Sequence, residues 1–144
     1  MNEVYIKQIE EWTERRINNI LFDSDIDDWN RNTSVFDQRI MNKEHIIIII
    51  KDEEGNKFGG YVNSKIDKVD GYIYDSKSFV FSLESKGRMK GMKKFDIEQP
   101  EYAFWLDNQT VNCLDLDVEV IFVFVKKIIK QIHTVINVHL NIKE

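Results

Sequence analysis

Three sets of residues in this 144-residue chain have side chains that could do chemistry: a run of aspartates, a basic cluster and one cysteine. Asp23, Asp25 and Asp27 have the first three spacings of a calcium-binding loop. That loop also needs a glycine at its sixth position and a bidentate glutamate at its twelfth. The chain has Asp28 and Ser34 there, so we interpret the run as an acidic loop and predict no metal site.

The basic cluster follows in the second half of the chain. Its side chains could together bind a phosphate group or an acidic partner, so we keep them as a candidate interaction surface. Long basic side chains are also typical of an exposed hairpin turn, which is the simpler explanation. The members of the cluster are Lys86, Arg88, Lys90, Lys93 and Lys94.

No pattern in the sequence predicts catalysis. Cys113 has no adjacent base, and we interpret it as a buried or incidental thiol. The histidines lack metal-ligand spacing with a cysteine or carboxylate, and the carboxylates are not placed across one cleft. Because a nucleophile elbow, a phosphate-binding loop and a dinucleotide fingerprint are also missing from the sequence, we predict a non-enzyme without a cofactor.

Composition is that of an ordinary globular domain, with 42% apolar and 31% charged residues. The net charge of -5 argues against a nucleic-acid partner, because phosphates require a basic face. A single cysteine forms no internal disulfide, and the N-terminus does not resemble a signal peptide. The apolar runs are too short for a membrane helix, so we predict a cytoplasmic protein without membrane insertion.

Two helices are predicted in the first third of the chain. Residues 3–18 place apolar side chains near helical spacing with a charged face opposite. The second helix is predicted to begin with a cap at Thr33 or Ser34 and to bury Phe36 and Ile40. The intervening residues 19–22 are short and apolar enough for a first strand.

Antiparallel strands are predicted for most of the remainder. Five consecutive isoleucines within residues 44–51 predict a central strand covered on both faces, because β-branched side chains suit a pleated sheet. A hairpin turn follows. Further strands are predicted at residues 57–63, 78–84, 92–97 and 102–106. The predicted fold is α+β, an antiparallel two-sheet β-sandwich with its helices packed against one edge.

The centre of this pattern is Phe58-Gly59-Gly60-Tyr61. Two glycines inside an apolar strand lose much backbone entropy on folding, so they predict a β-bulge or the close approach of another backbone. Phe58 and Tyr61 flank the glycines as packing anchors. We interpret the motif as one that defines the fold, with a binding surface formed by the bulge as the alternative.

The motif is also part of a longer series that resembles the TLDc domain. Its two most specific pieces are a G-x-x-F-G-G-Y run and a later F-x-F-S-L strand. The sequence Leu21-Phe22-Asp23-Ser24, the helix with Phe36, and Lys94-Phe95 occur in the same order. The residues that carry the two pieces are Gly55, Phe58, Gly59, Gly60, Tyr61, Phe79, Phe81, Ser82 and Leu83.

The resemblance implies a two-sheet α+β sandwich and a non-catalytic protein-interaction module. For several animal members it also implies oxidative-stress resistance through binding of the vacuolar proton-pumping ATPase. No catalytic residue set is agreed for the family, so none is carried over. The alternatives are a weak redox or hydrolytic enzyme, in which Cys113 could be an oxidisable thiol, and a degenerate truncated copy without function.

The resemblance stops abruptly at Cys113. We therefore divide the chain into an N-terminal helix (1–18), a TLDc-like domain (19–113) and an atypical apolar and basic tail (114–144). Family members continue at this point with a glycine-rich turn and further strands, whereas the tail contains no glycine.

A shift of reading frame is one explanation for the tail. With synonymous codons chosen for the tail and read from the last base of the Cys113 codon, the translation contains the F-G-F-G-x-G turn of the family. We hypothesise that the tail is frameshifted and that the sandwich is incomplete at the C-terminus. A genuine tail that forms strands is the alternative, because Val118, Val120, Phe122 and Phe124 recur at alternate positions, as on one face of a strand.

Overall fold

The computed structural model describes residues 2–18, 20–23, 26–27, 36–52, 54–87 and 90–106, together with three short strands in the tail. Helix α1 spans Glu3–Thr13 and helix α2 spans Phe36–Ile40. A 3-10 helix spans Pro100–Tyr102. The strands are β1 (Arg16–Ile17), β2 (Ile46–Asp52), β3 (Lys57–Val62), β4 (Tyr72–Ile73), β5 (Phe79–Glu84), β6 (Lys93–Asp96), β7 (Phe104–Leu106), β8 (Val120–Ile121), β9 (Thr134–Val135) and β10 (Ile142–Lys143).

The strands form two main sheets. One has five strands in the order β6-β5-β3-β2-β9, and the other has three strands in the order β4-β7-β8. Strands β1 and β10 form a separate pair. Because every pairing is antiparallel and two helices accompany the sheets, the predicted α+β fold is confirmed.

The main core lies between the two sheets. Alternate isoleucines of β2 point into it, with Ile46 and Ile48 fully buried. On the other side of this core, β7 contributes Phe104 and Leu106 from the three-stranded sheet. Side chains of both sheets therefore share one apolar cluster, as in a sandwich.

A second core lies on the outer face of the five-stranded sheet, where α1 covers it. Ile47 and Ile49 of β2 pack there with Ile9 of α1, so the isoleucine strand is buried on both faces as predicted. Trp12 contacts Phe79 edge-on, with ring centroids 6.2 Å apart. The prediction that the helices pack against one edge is wrong for α1, because this sheet face is apolar and must be shielded from water.

Several predicted boundaries differ from those observed. Helix α1 ends at Thr13, because Glu14 adopts a left-handed conformation with φ of 57° and its N–H bonds to the Glu10 carbonyl. The first strand lies at Arg16–Ile17, and residues 20–22 are not in a strand. The other five predicted strands are present and overlap the predicted ranges, and β4 is an additional strand.

Some predictions fall on parts of the chain that the structure does not describe. The predicted cap at Thr33 or Ser34, Cys113, and most of the tail lie outside the described residues. Neither of the two α-helices within the described ranges has the length and apolar character needed to cross a membrane.

Candidate functional site

The two glycines of the motif lie in β3, between β2 and β5. Gly59 faces Ile49 on one side and Phe81 on the other. A Cβ atom added at Gly59 would lie 1.7 Å from the carbonyl oxygen of Ile48, so no other residue fits without a shift of the backbone. The pairing of β3 with β5 also shifts register between Lys57 and Phe58. Close backbone approach therefore occurs at Gly59, whereas the register shift lies before the motif and leaves Leu83 of β5 without a partner residue in β3.

Tyr61 ends the motif with its ring buried on the face that α1 covers. Its hydroxyl donates a hydrogen bond to Asn63 Oδ1 at 2.8 Å, and His45 Nδ1 lies 3.2 Å from the Tyr61 hydroxyl oxygen. Burial raises the pKa of Tyr61 above its usual value, and the neighbouring Arg15 opposes this rise. A neutral, hydrogen-bonded phenol anchors the strand and offers no nucleophile near neutral pH.

Beside Tyr61, a groove of about 660 Å³ opens between the end of α1 and the sheet. This volume is in the range of small-molecule sites. Its charged lining mixes both signs, and Lys94 already contacts Asp96 at 3.2 Å and the Phe79 ring centroid at 4.8 Å. The groove is lined by Trp12, Thr13, Glu14, Arg15, Tyr61, Asn63, Ser76, Lys77, Phe79, Lys94 and Asp96. The groove therefore has no predominant charge that would favour either an anionic or a cationic ligand.

Lys86, the first residue of the basic cluster, belongs to an ion-pair network. Its Nζ lies 2.8 Å from Glu84 Oε1, while Lys57 Nζ lies 3.3 Å from Glu84 Oε2. Tyr5 of α1 donates a hydrogen bond to Glu84 Oε2 at 2.9 Å. These bonds, with that from Lys86 the largest cause, lower the pKa of Glu84 to about 2. The same pair raises the pKa of Lys86, so this lysine is engaged within the fold.

The other lysines of the cluster do not share one face. Lys94 pairs with Phe81 and Lys93 pairs with Ser82, so their side chains point to opposite sides of β6. Lys90 lies exposed in the turn before that strand, and Arg88 lies outside the described residues. Because β6 is at the edge of its sheet, exposed lysines here discourage pairing with another chain.

Asp75 is a buried carboxylate that the sequence did not single out, and its side chain is 1% exposed. Its Oδ2 accepts hydrogen bonds from the backbone N–H groups of Asn63 at 2.6 Å and Ser64 at 3.0 Å. Its Oδ1 accepts one from the Lys77 N–H at 3.0 Å. The carboxylate thus fastens the end of β3 to the segment before β5.

An exposed group of aromatic side chains, the aromatic surface, lies on the outer face of the three-stranded sheet. Tyr72 is its centre: its ring centroid lies 5.0 Å from that of Tyr102 and 4.8 Å from that of Trp105. Tyr74, two residues after Tyr72 and just beyond the end of β4, is also exposed. The sequence pattern alone did not reveal this surface, although Tyr72, Ile73 and Tyr74 alternate in exposure and Ile73 points into the core.

A metal site is not visible in the described part of the chain. Among those residues, no three or more histidine, cysteine, aspartate or glutamate side chains are grouped to hold a metal ion. The acidic run at Asp23 to Asp27 is described only in part, and there the Asp27 carboxylate accepts the Asp23 N–H at 2.8 Å. That contact is typical of a local turn.

The family comparison places these features in context. No curated protein matched the chain. The family model of the TLDc domain matches residues 1–114, which is most of the chain. The matched range contains the glycine motif, both α-helices and strands β1 to β7. The chain therefore belongs to the TLDc domain family.

Proposed function

We propose that this chain is a non-catalytic protein-interaction module whose partner is the vacuolar proton-pumping ATPase. The observation that carries the proposal is the TLDc match over residues 1–114, which includes the motif residues around Gly59. The resemblance to the family implies this partner and a role in oxidative-stress resistance, and the cytoplasm is the compartment predicted from the sequence.

The described polar groups support a binding role over a catalytic one. Asp75, Tyr61 and Glu84 are each hydrogen-bonded within the fold. By contrast, the aromatic surface leaves large rings open to solvent. Tyrosine and tryptophan are the residue types that most often dominate the energy of protein–protein interfaces.

A pull-down with the full chain as bait tests the proposal. Purified peripheral subunits of the proton pump are offered to the immobilised chain at low and at moderate salt, and their recovery is measured. A Gly59→Val variant, which cannot pack its β3 strand, serves as a misfolded bait for non-specific capture. The proposal predicts recovery by the native chain alone. Equal recovery by both baits, or none at either salt level, contradicts the proposed partner.

A further inference from the structure

The aromatic surface presents three tyrosine side chains to solvent. Tyr72 is 41% exposed, Tyr74 is 64% exposed and Tyr102 is 44% exposed. On the opposite face of the same sheet, Ile73 and Phe104 are buried in the main core. The outward rings are therefore not needed to seal that core, and clustered exposed aromatic rings of this kind mark interaction surfaces.

Two segments of the chain build this surface, and hydrogen bonds hold them together. The Asp70 N–H bonds to the Leu106 carbonyl at 2.8 Å, which fixes the entry to β4 beside the end of β7. The Asp75 N–H bonds to the Pro100 carbonyl at 3.0 Å, which fixes the 3-10 helix beside the end of β4. The rings thus project from a frame that is preorganised, so binding does not have to order the backbone first.

The same two segments are acidic. Residues 67–74 and 98–106 together contain four carboxylates and one lysine, which gives them a net charge of -3. All five charged residues are exposed. They are Asp67, Lys68, Asp70, Glu98 and Glu101. Aromatic faces within an acidic setting favour a cation, because ring quadrupoles attract positive charge and carboxylates add long-range attraction.

We propose that the aromatic surface docks an arginine-rich segment of a partner protein. Arginine suits the site better than lysine, because its planar guanidinium stacks on aromatic rings and is more weakly hydrated than an ammonium group. The inference rests on the proposed function, that of a protein-interaction module, and adds to it the surface and the chemistry of the partner segment.

Fluorescence anisotropy of labelled peptides tests this surface directly. The probes are three short peptides in which glycine alternates with arginine, lysine or glutamate, titrated with the full chain at low and moderate salt. The expected order of affinity is arginine above lysine, with no binding of the glutamate peptide. Replacing two rings, as in Tyr72→Ser with Tyr102→Ser, should weaken arginine-peptide binding by about fivefold to thirtyfold, since each exposed cation–π contact contributes about 0.5–1 kcal/mol.

Two matched variants separate the rings from other effects. Tyr72→Phe with Tyr102→Phe keeps both rings and should keep the affinity, and far-ultraviolet circular dichroism of the serine variant should match that of the native chain. Glu98→Gln with Glu101→Gln should weaken binding. The control variant Glu3→Gln with Glu11→Gln makes the same change of net charge on α1 and should leave the affinity within about twofold, because screening limits distant charges.

Three results would overturn the inference. One is equal arginine-peptide affinity in the native chain and the serine variant. Another is an equal loss of arginine-peptide affinity in the two glutamate-to-glutamine variants, which would mean that only the net charge of the chain matters. The third is a dimer in sedimentation that the serine variant abolishes, which would make a second copy the occupant. If ring-dependent peptide binding holds while the pump subunits are not captured, the proposed partner fails and the surface stands.

Discussion

Replacing Gly59 by alanine tests the reasoning about the fold most directly. The added Cβ would lie 1.7 Å from the Ile48 carbonyl oxygen and 2.8 Å from the Ile48 carbonyl carbon. Both atoms belong to the backbone of the central strand β2, so neither can rotate away as a side chain would. Overpacking typically costs 1–3 kcal/mol, and a contact with fixed backbone should cost at least about 3 kcal/mol.

That cost is large beside the stability of an ordinary domain, about 5–15 kcal/mol. With a urea dependence of about 1–3 kcal/mol per molar, the unfolding midpoint should fall by about 1–3 M. The assay is equilibrium urea unfolding of the native chain and of Gly59→Ala, followed by tryptophan fluorescence and far-ultraviolet circular dichroism.

Gly71→Ala is the matched control. The added Cβ there would meet the side chain of Lys68 at an ordinary 3.4 Å, and Gly71 does not have a positive φ. Its midpoint should change little, by the equivalent of about 0.5 kcal/mol or less. A Gly59→Ala midpoint equal to that of the native chain, or equal shifts in the two variants, would refute the close-approach argument.

Three further predictions follow from other features. Asp75→Ala should lower the free energy of unfolding, measured by urea titration, by at least about 2 kcal/mol, because the backbone N–H groups of Asn63, Ser64 and Lys77 lose their acceptor. Asp75→Asn should lower the free energy of unfolding by less, and an equal loss in both variants would contradict this. The pKa of Glu84 is about 2 in the fold against 4.5 normally. The stabilisation from Glu84 is therefore complete above pH 4.5 and is lost as the pH falls toward 2. Glu84→Gln should flatten that part of an acid-unfolding curve, and an unchanged curve would contradict this. If the tail is frameshifted, sequencing of the locus should find a missing or extra base near the Cys113 codon, and an intact single frame removes the hypothesis.

Local patterns were enough to predict the central strand and the motif. Five isoleucines in a row can be read without tertiary information, because a strand that is apolar on both sides must be covered on both sides. The paired glycines likewise predicted close backbone approach, and Gly59 shows it. In both cases the physical cause lies within the residues of one strand.

Contacts between distant segments could not be predicted in the same way. The spacing of Ile6 and Ile9 shows that α1 has an apolar side, but it does not say whether a face or an edge of a sheet receives it. Glu84, which pairs with Lys86, also accepts a hydrogen bond from Tyr5, which is 79 positions away in the sequence. The aromatic surface could not be predicted because β4 is two residues long, so the alternation of Tyr72, Ile73 and Tyr74 is too brief to identify a strand.

The position of α1 shows that the folded domain includes this helix. From the sequence pattern, residues 1–18 were divided from the TLDc-like domain at 19–113 as an N-terminal helix. Yet Ile9 is wholly inaccessible to solvent and Trp12 rests on Phe79 and Phe81, so the helix acts as a lid over hydrophobic rings. A chain shortened to begin at residue 19 would expose an apolar sheet face to solvent and should aggregate or bind an apolar helix from another molecule. The smallest stably folded unit for expression or fusion therefore includes the helix that starts at Glu3.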